Sequence, residues 1–480
     1  MWIVSEQSPW WERYKLSGAG ASEIASGVEA AVTAGVLVPG VSLPPVRELA
    51  ELLGVNPNTV AAAYRILRDR GTVETRGRAG TRVREHPGTS ARQRSYALPE
   101  GVRDLTLGEP SVDLLPRLAP PVSIDVSRYW HASAEPLLEA ELRRRLERNF
   151  GFGESGVAGS ASADSTSVGG AAAEIAELIS GASVLPVFGV LDGIDRLLAT
   201  HLRPGDKVAV EDPAWGNLLD LLAARGLNAQ PMRVDDQGPD PEDLRVALTA
   251  GARAVVVTTR AQNPYGAMVS PRRAKVLRSL LAEHPDVLTI DDDHGADLTE
   301  GTPQVLSGAT EHWAYLYSAS KAYGPDLRIA ALVGDAGSVD RVAGQLKHTS
   351  RRVPGVMQEL WATALGEADH DALLAKATKV YEENRSALID ELARYGIEAH
   401  GVSGLNVWIP VRDEAAAATG LLARGWAVAP GSWFRIRGGQ GIRVTISTLH
   451  AGEAASFAEA VAESVGMASG QPRARRVENV

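Results

Sequence analysis

The stretch AYLYSASKAYGPDLR, residues 314–328, decides how the larger part of this chain is read. Its first half has the length and the aromatic, apolar character of a strand, and Lys321 follows at once between small hydroxyl residues. An amine in a cramped polar setting can attack a carbonyl to form an imine, whereas Ser318, Ser320 and the fork of Arg328 suit a phosphate. Working upstream, KVAVED (207–212), ARAVVVTT (252–259) and VLTIDDD (287–293) are further strand-like runs separated by helical patterns. That alternation predicts a mostly parallel sheet with helices on both faces. VLTIDDDHGADL ends its strand in three aspartates, so at least one points into the crevice at the sheet's carboxyl edge, where open α/β sheets bind ligands.

Other parts lie along the same edge. AQNPYG (261–266) puts the amide of Asn263 in a turn, and EDPAWG (211–216) offers Trp215 as a flat stacking surface. Each fits a plainer reading as well. A lone SxSK is usually a surface loop, an Asp triplet suits a hard metal, and Asn-Pro often just begins a turn.

Outward from this core, 480 residues give room for two or three domains. No run of apolar residues is long enough to span a bilayer, and no basic segment followed by an apolar one opens the chain, so a cytoplasmic address and no membrane partner are expected. The chain has no cysteine, which excludes disulfides, thiolate chemistry and cysteine-bound zinc, and no metal site is expected. The net charge is −10, yet residues 41–84 carry eight arginines against four acids. A basic module inside an acidic protein points to a polyanion.

That module, residues 20–84, shows a helix from Ser22 to Gly35, a second ending at Gly54, and a third capped by Asn56 with Pro57 at its first position. A basic hairpin, TVETRGRAGTRVR, closes it. The pattern is that of an α+β winged helix-turn-helix, although composition alone also fits a solvated helical hairpin with surface arginines. The opening of the third helix, Asn56, Asn58 and Thr59, presents short polar side chains and N–H groups to phosphates and base edges. Residues 85–104 read as a flexible linker, 153–170 as a mobile low-complexity insertion and 469–480 as a disordered tail.

The module resembles the winged-helix domain of the GntR family across LPPVRELAELLGVNPNTVAAAYRILRDRGTVETRGRAGTRV. The resemblance implies DNA contacts by Arg47, by Asn56, Asn58 and Thr59, and by the wing tip from Arg78 to Gly80. The pattern departs from the family at Pro57, Ala61 and Ala62, which thins base readout. Residues 105–468 resemble the fold-type I aminotransferases, with a smaller C-terminal α+β subdomain over about 370–468. That resemblance implies pyridoxal 5'-phosphate (PLP) as cofactor. It implies Lys321 as the lysine that bonds it as an imine, Asp292 opposite the pyridine nitrogen and Asn263 on the 3-hydroxyl. It further implies Trp215 on the ring, and Ser318, Ser320, Arg328 and the backbone of Gly189, Val190 and Leu191 at the phosphate. Arg443, in GIRVTIS, matches the arginine that clamps an amino acid's carboxylate. His294 stands where the family has a tyrosine on the 3-hydroxyl, and Phe188 and Leu191 replace polar phosphate-loop residues.

The two parts joined by a linker resemble the MocR/GabR subfamily of bacterial regulators. This implies a homodimeric transcriptional regulator that binds double-stranded promoter DNA and senses PLP, or PLP reacted with an amino acid or amine. The altered ring and phosphate contacts predict poor turnover as an enzyme; the alternative is an active aminotransferase with an auxiliary DNA-binding module.

Overall fold

A computed structural model of the chain describes residues 20–33, 36–38, 40–69, 72–75, 80–83, 98–118, 134–150, 177–179 and 181–466. The segment 153–170, the tail 469–480 and linker residues 85–97 lie outside the described residues.

The N-terminal module consists of α1 (Ala21–Thr33), α2 (Val46–Leu53), α3 (Pro57–Asp69), β1 (Val73–Thr75) and β2 (Thr81–Val83). Helical spacing turns Ile24, Val28 and Ala31 inward onto Leu49, Val60, Ala63 and Leu67, and all seven are buried. The first helix starts one residue before Ser22, where the sequence pattern placed its beginning. The second helix stops where Gly54 takes φ 66°, a left-handed conformation that returns its N–H to the Ala50 and Glu51 carbonyls. Asn56 caps α3, its side-chain oxygen accepting the Asn58 N–H at 2.8 Å. The hydroxyl of Tyr64 donates to the Pro44 carbonyl at 2.7 Å and ties α3 to the turn before α2. Strands β1 and β2 pair antiparallel, Val73 opposite Val83.

The rest of the chain continues through β3 (Arg103–Leu105), α4 (Pro136–Phe150), β4 (Ser183–Val187), α5 (Val190–His201), β5 (Lys207–Asp212), α6 (Gly216–Ala224), β6 (Asn228–Asp235) and β7 (Gly238–Pro239). Next come α7 (Pro241–Thr249), β8 (Ala252–Thr258), α8 (Pro271–Ala282), β9 (Leu288–Asp293), β10 (His312–Ser318), the one-turn α9 (Ser320–Tyr323) and β11 (Ala330–Gly334). Helices α10 (Ala336–His348), α11 (Gly355–Gly366) and α12 (Ala368–Arg394) lead to β12 (Asn406–Pro410), α13 (Glu414–Leu422), β13 (Trp426–Pro430), β14 (Gly441–Thr445) and α14 (Ala451–Ser464).

Eight strands form one sheet in the order β4-β11-β10-β9-β8-β5-β6-β7. The five from β10 to β6 run parallel, and β11 is antiparallel to both of its neighbours. Period-two alternation sends successive side chains to opposite faces. Val208, Val210, Ala314 and Leu316 meet α5, α6 and α10, whereas Ala209 faces α7 and α8, and Tyr315 and Tyr317 face α4, α11 and α12. Both faces are covered, as the unbroken apolar runs of these strands require.

A second sheet has the order β12-β14-β13-β3. Its last strand corrects the linker boundary. Arg103 and Asp104, expected in flexible chain, pair in parallel with Trp426 and Ala427 of β13. Three residues were too short a run for any periodicity to mark, and they are held by a partner more than 300 positions away, with Arg103 also bonded to Glu453 at 2.9 Å. The smaller subdomain therefore includes chain from before the large sheet. Near it, Gln440 Nε2 donates to Glu23 Oε1 at 2.7 Å, a contact between α1 and the loop that enters β14. Among the described residues no helix is long and apolar enough to cross a membrane.

Candidate ligand pocket and nucleic-acid surface

The carboxyl ends of β5, β9 and β10, the first turn of α5 and the middle of β14 converge on a cavity of about 680 Å³. That size is ordinary for a small-molecule site. Lys321, His294, Asn263, Trp215, Ser318, Ser320, Arg328, Gly189, Val190, Leu191 and Arg443 all line it. Asp292 does not; it stands directly behind His294.

Lys321 is the second residue of the short α9, where the chain turns back after β10. Its Nζ donates to the Gly108 carbonyl at 2.6 Å. Burial, with the nearby cations Arg443 and Arg328, lowers it to about 8, against the opposing pull of Glu109 and Asp292. An amine so placed keeps a nucleophilic neutral fraction near physiological pH that an ordinary lysine lacks.

The three aspartates at the end of β9 diverge. Asp291 accepts the amides of Leu306 and Ser307 and the Ser307 hydroxyl, which makes it a loop brace. Asp293 forms a buried ion pair with Arg260, 2.9 Å from Nε, and accepts the Tyr315 hydroxyl at 2.5 Å. Only Asp292 is directed toward the cavity, and both its oxygens are taken by His294, from the backbone N–H at 3.0 Å and by Nδ1 at 3.0 Å. The hard-metal reading of the triplet fails on this divergence. Burial works against a charged His294, but Asp292 more than offsets it, so the imidazole is raised above its ordinary range. With Nδ1 engaged, Nε2 is the nitrogen available to a ligand.

Arg443 is almost fully buried on β14. It donates from Nη1 to Asn263 Oδ1 at 3.0 Å and from Nη2 to the Thr106 carbonyl, its guanidinium carbon lying 4.8 Å from the centre of the Phe434 ring. Its Nε is buried without a hydrogen-bond partner. Burial lowers Arg443 to about 9, which leaves it charged at neutral pH and short of a counter-ion. Its charge and its unpartnered Nε leave it able to pair with an anion.

At the opposite end, α5 begins at Gly189, whose φ of 91° and missing side chain leave the first turn without a side-chain cap. A Cβ there would come within 3.1 Å of the Arg328 side chain. A bare helix N-terminus facing an arginine is an anion cradle. Ser318 and Ser320 lie beside it, Ser318 Oγ accepting the Ser320 N–H at 3.2 Å.

The sequence reading missed the strap that covers the cavity. Leu107, Gly108, Glu109 and Pro110 line it from the segment after β3. Gly108 has φ 65°, and a Cβ on it would sit 3.0 Å from Arg443 Nη1. The one local signal was this glycine.

The nucleic-acid surface is simpler. Arg47 is exposed on α2, Asn58 is exposed and Thr59 half-buried on the first turn of α3. Asn56 is exposed too, but its side-chain oxygen is spent on capping, so its amide N–H groups are what it can offer. Gly80 has φ 80° and open space around it, which allows a backbone to approach closely. Arg78 lies outside the described residues.

Residues 21–83 match the bacterial regulatory proteins of the gntR family, and residues 169–461 match the aminotransferase class I and II family. Over 444 residues the chain is 36% identical to the vitamin B6 salvage pathway transcriptional repressor PtsJ of Salmonella typhimurium, covering 91% of this chain and 96% of that protein. The HTH-type transcriptional regulator TauR of Rhodobacter capsulatus is 27% identical over 52% of this chain and 53% of its own. A kynurenine aminotransferase of Pyrococcus horikoshii, solved with PMP, superposes with a TM-score of 0.64 at 18% identity, over 76% of this chain and 91% of that one, and shows the fold.

Proposed function

The chain belongs to the bacterial transcription regulators that join a gntR-type winged helix to a PLP-dependent aminotransferase class I and II domain, and we propose that this member represses transcription in response to PLP or an amino compound bound with it. The observation that carries the reading is the similarity to a vitamin B6 pathway repressor along 91% of the chain. The cavity supports it with an amine, an uncapped helix N-terminus and an under-partnered arginine.

These residues fit PLP chemically. When bound, PLP supplies an aldehyde that reacts with amines and a ring that withdraws electrons. Lys321 is the amine that would take the aldehyde carbon. Gly189, Val190, Leu191, Ser318, Ser320 and Arg328 would hold the phosphate. Trp215 would cover the ring face, Asn263 and His294 Nε2 would reach the ring hydroxyl, and Asp292 would supply negative charge from behind His294. Arg443 would orient a ligand carboxylate while the strap at Gly108 keeps water from the amine. We further propose a homodimer, since a two-fold pair of winged helices matches an operator with two half-sites.

Turnover should be weak. Both oxygens of Asp292 are already engaged by His294, so less of its field is left to stabilise charge that develops only in a transition state. A sensor needs only a difference in binding between two arrangements of the protein. The test is a titration of the full-length protein with the intergenic DNA beside its own gene, with and without PLP and with PLP plus a panel of amino acids. PLP should change the affinity for that DNA. Equal affinity under all conditions, together with sustained transamination, would move the function to the enzyme reading.

A further inference from the structure

Behind the pocket wall stands a carboxylate with no part in the contacts above. Glu211, near the end of β5, is 4% exposed. Its Oε1 accepts the Thr258 N–H at 3.1 Å, and Oε2 accepts the Thr258 hydroxyl at 2.9 Å and Gln262 Nε2 at 3.1 Å. As drawn, every partner donates. The set suits an ionised carboxylate, because a protonated one must withdraw an acceptor from at least one donor.

Both branches lead to the ring side of the cavity. Gln262 Nε2 also donates to the Pro213 carbonyl at 2.8 Å, Gln262 Oε1 accepts the Tyr265 N–H at 2.9 Å, and the Gln262 carbonyl accepts the Gly266 N–H at 2.6 Å. One side chain thus staples the turn that carries Asn263, whose Oδ1 holds Arg443. In the other branch Thr258 lies opposite Asp292 in the β8–β9 register, and Thr259 donates its N–H to the Asp292 carbonyl at 3.0 Å.

We propose that ionised Glu211 is a positioning residue for the cofactor site, fixing Asn263 through Gln262 and bracing the strand end that carries Asp292 through Thr258. It rests on the reading of the cavity as a PLP site. Burial raises Glu211 to about 7, with Gln262 and Thr258 opposing the rise and Asp292 adding to it. The groups facing it are Thr258 from β8, Gln262 from the following turn, Asp292 from β9 and, in register on β6, the apolar Met232. Its neighbour Asp212 is occupied elsewhere, by the amides of Ile436, Arg437 and Gly438. As pH falls through about 7, Glu211 gains a proton, the staple loses an acceptor and the hold on the ring loosens.

The experiment is a titration of full-length wild type, Glu211→Gln and Gln262→Ala with PLP between pH 6 and 8.5, read by tryptophan fluorescence. At pH 8 both variants should bind PLP about ten- to 150-fold more weakly, the value of one hydrogen bond to a charged group. Wild-type affinity should drop between pH 7.5 and 6, and Glu211→Gln should flatten that drop. A merely structural carboxylate would shift thermal stability and leave the profile unchanged. Wild-type affinity and slope in Glu211→Gln overturn the proposal, as does wild-type affinity in Gln262→Ala, which tests it even if the first variant does not fold. If wild type takes up no PLP, the cofactor reading itself falls, and this inference with it.

Discussion

The winged helix and the pocket achieve order in opposite ways. In the module, defining contacts are local: Asn56 caps through Asn58 two positions on, and Tyr64 reaches Pro44 at a separation of 20. In the pocket, Arg443 is bonded to Thr106 at a separation of 337, and Lys321 to Gly108 at 213. A DNA-reading surface can be built on one helix end because the duplex brings the rest of the geometry. A buried site for a small charged molecule must be enclosed from every side, and a single stretch of chain cannot do that. Function in the first region should therefore fail one contact at a time, and function in the second should fail as a unit.

The largest expected effect is on the pocket side. Lys321→Ala should abolish the pyridoxyl adduct that borohydride fixes on the wild-type protein, checked by peptide mass spectrometry, while leaving DNA affinity without PLP within about twofold. An adduct elsewhere in the variant would reassign the amine.

Next comes pH. The neutral amine attacks a carbonyl, and Lys321 is lowered to about 8, so the rate of PLP uptake should rise roughly tenfold per pH unit up to about 8 and then level off. Followed by stopped-flow absorbance, a plateau beginning only near 10.5 would show an ordinary, solvated lysine. DNA binding by the module should show no step at about 8, which would separate the two regions in one buffer series.

On the module side, Arg47→Ala should weaken binding to the cognate promoter by about 1.5 to 3 kcal/mol and lower the slope of log affinity against log salt by about 1. Fluorescence anisotropy at several salt concentrations measures both, and the PLP spectrum should not change. Unaltered affinity would remove Arg47 from the interface.

The smallest effect tests the local character of the module. Gly54 has φ 66°, so Gly54→Ala strains the end of α2 and should destabilise the module by about 1 kcal/mol. Thermal unfolding should show a modest shift with the pocket's PLP affinity intact. A large loss of PLP affinity would mean that the two regions unfold as one.

Much of the site was legible because strand ends announce themselves. VLTIDDD and AYLYSAS close on polar residues where the sheet opens, Asp292 lies in the last pleat of one such strand, and Lys321 and Asn263 follow the ends of others. The choice of Asp292 among the three aspartates came from the family resemblance and was not legible in the residues themselves. All carry the same chemistry at adjacent positions, and only the partners, Ser307 for Asp291, His294 for Asp292 and Arg260 for Asp293, distinguish them. Nor was it legible that His294 commits its Nδ1 to Asp292 and so leaves Nε2 for a ligand. The setting of Glu211 within EDPAWG was not legible either, since nothing local reveals that a glutamate is buried beside three donors.

What the sequence by itself determined is whatever short-range physics enforces: the caps and stops of the module's helices, its basic charge, the alternation of strands and helices, and the residue types gathered at the sheet's carboxyl edge. What only the tertiary structure decided is proximity between distant segments. Strand β3 exists because β13 offers it hydrogen-bonding partners, the Gly108 strap closes because Arg443 and Lys321 need acceptors, and Glu211 is raised to about 7 because folding removes its water. Burial and pairing are properties of neighbours in space, and the order of residues along a chain fixes those neighbours only through the fold.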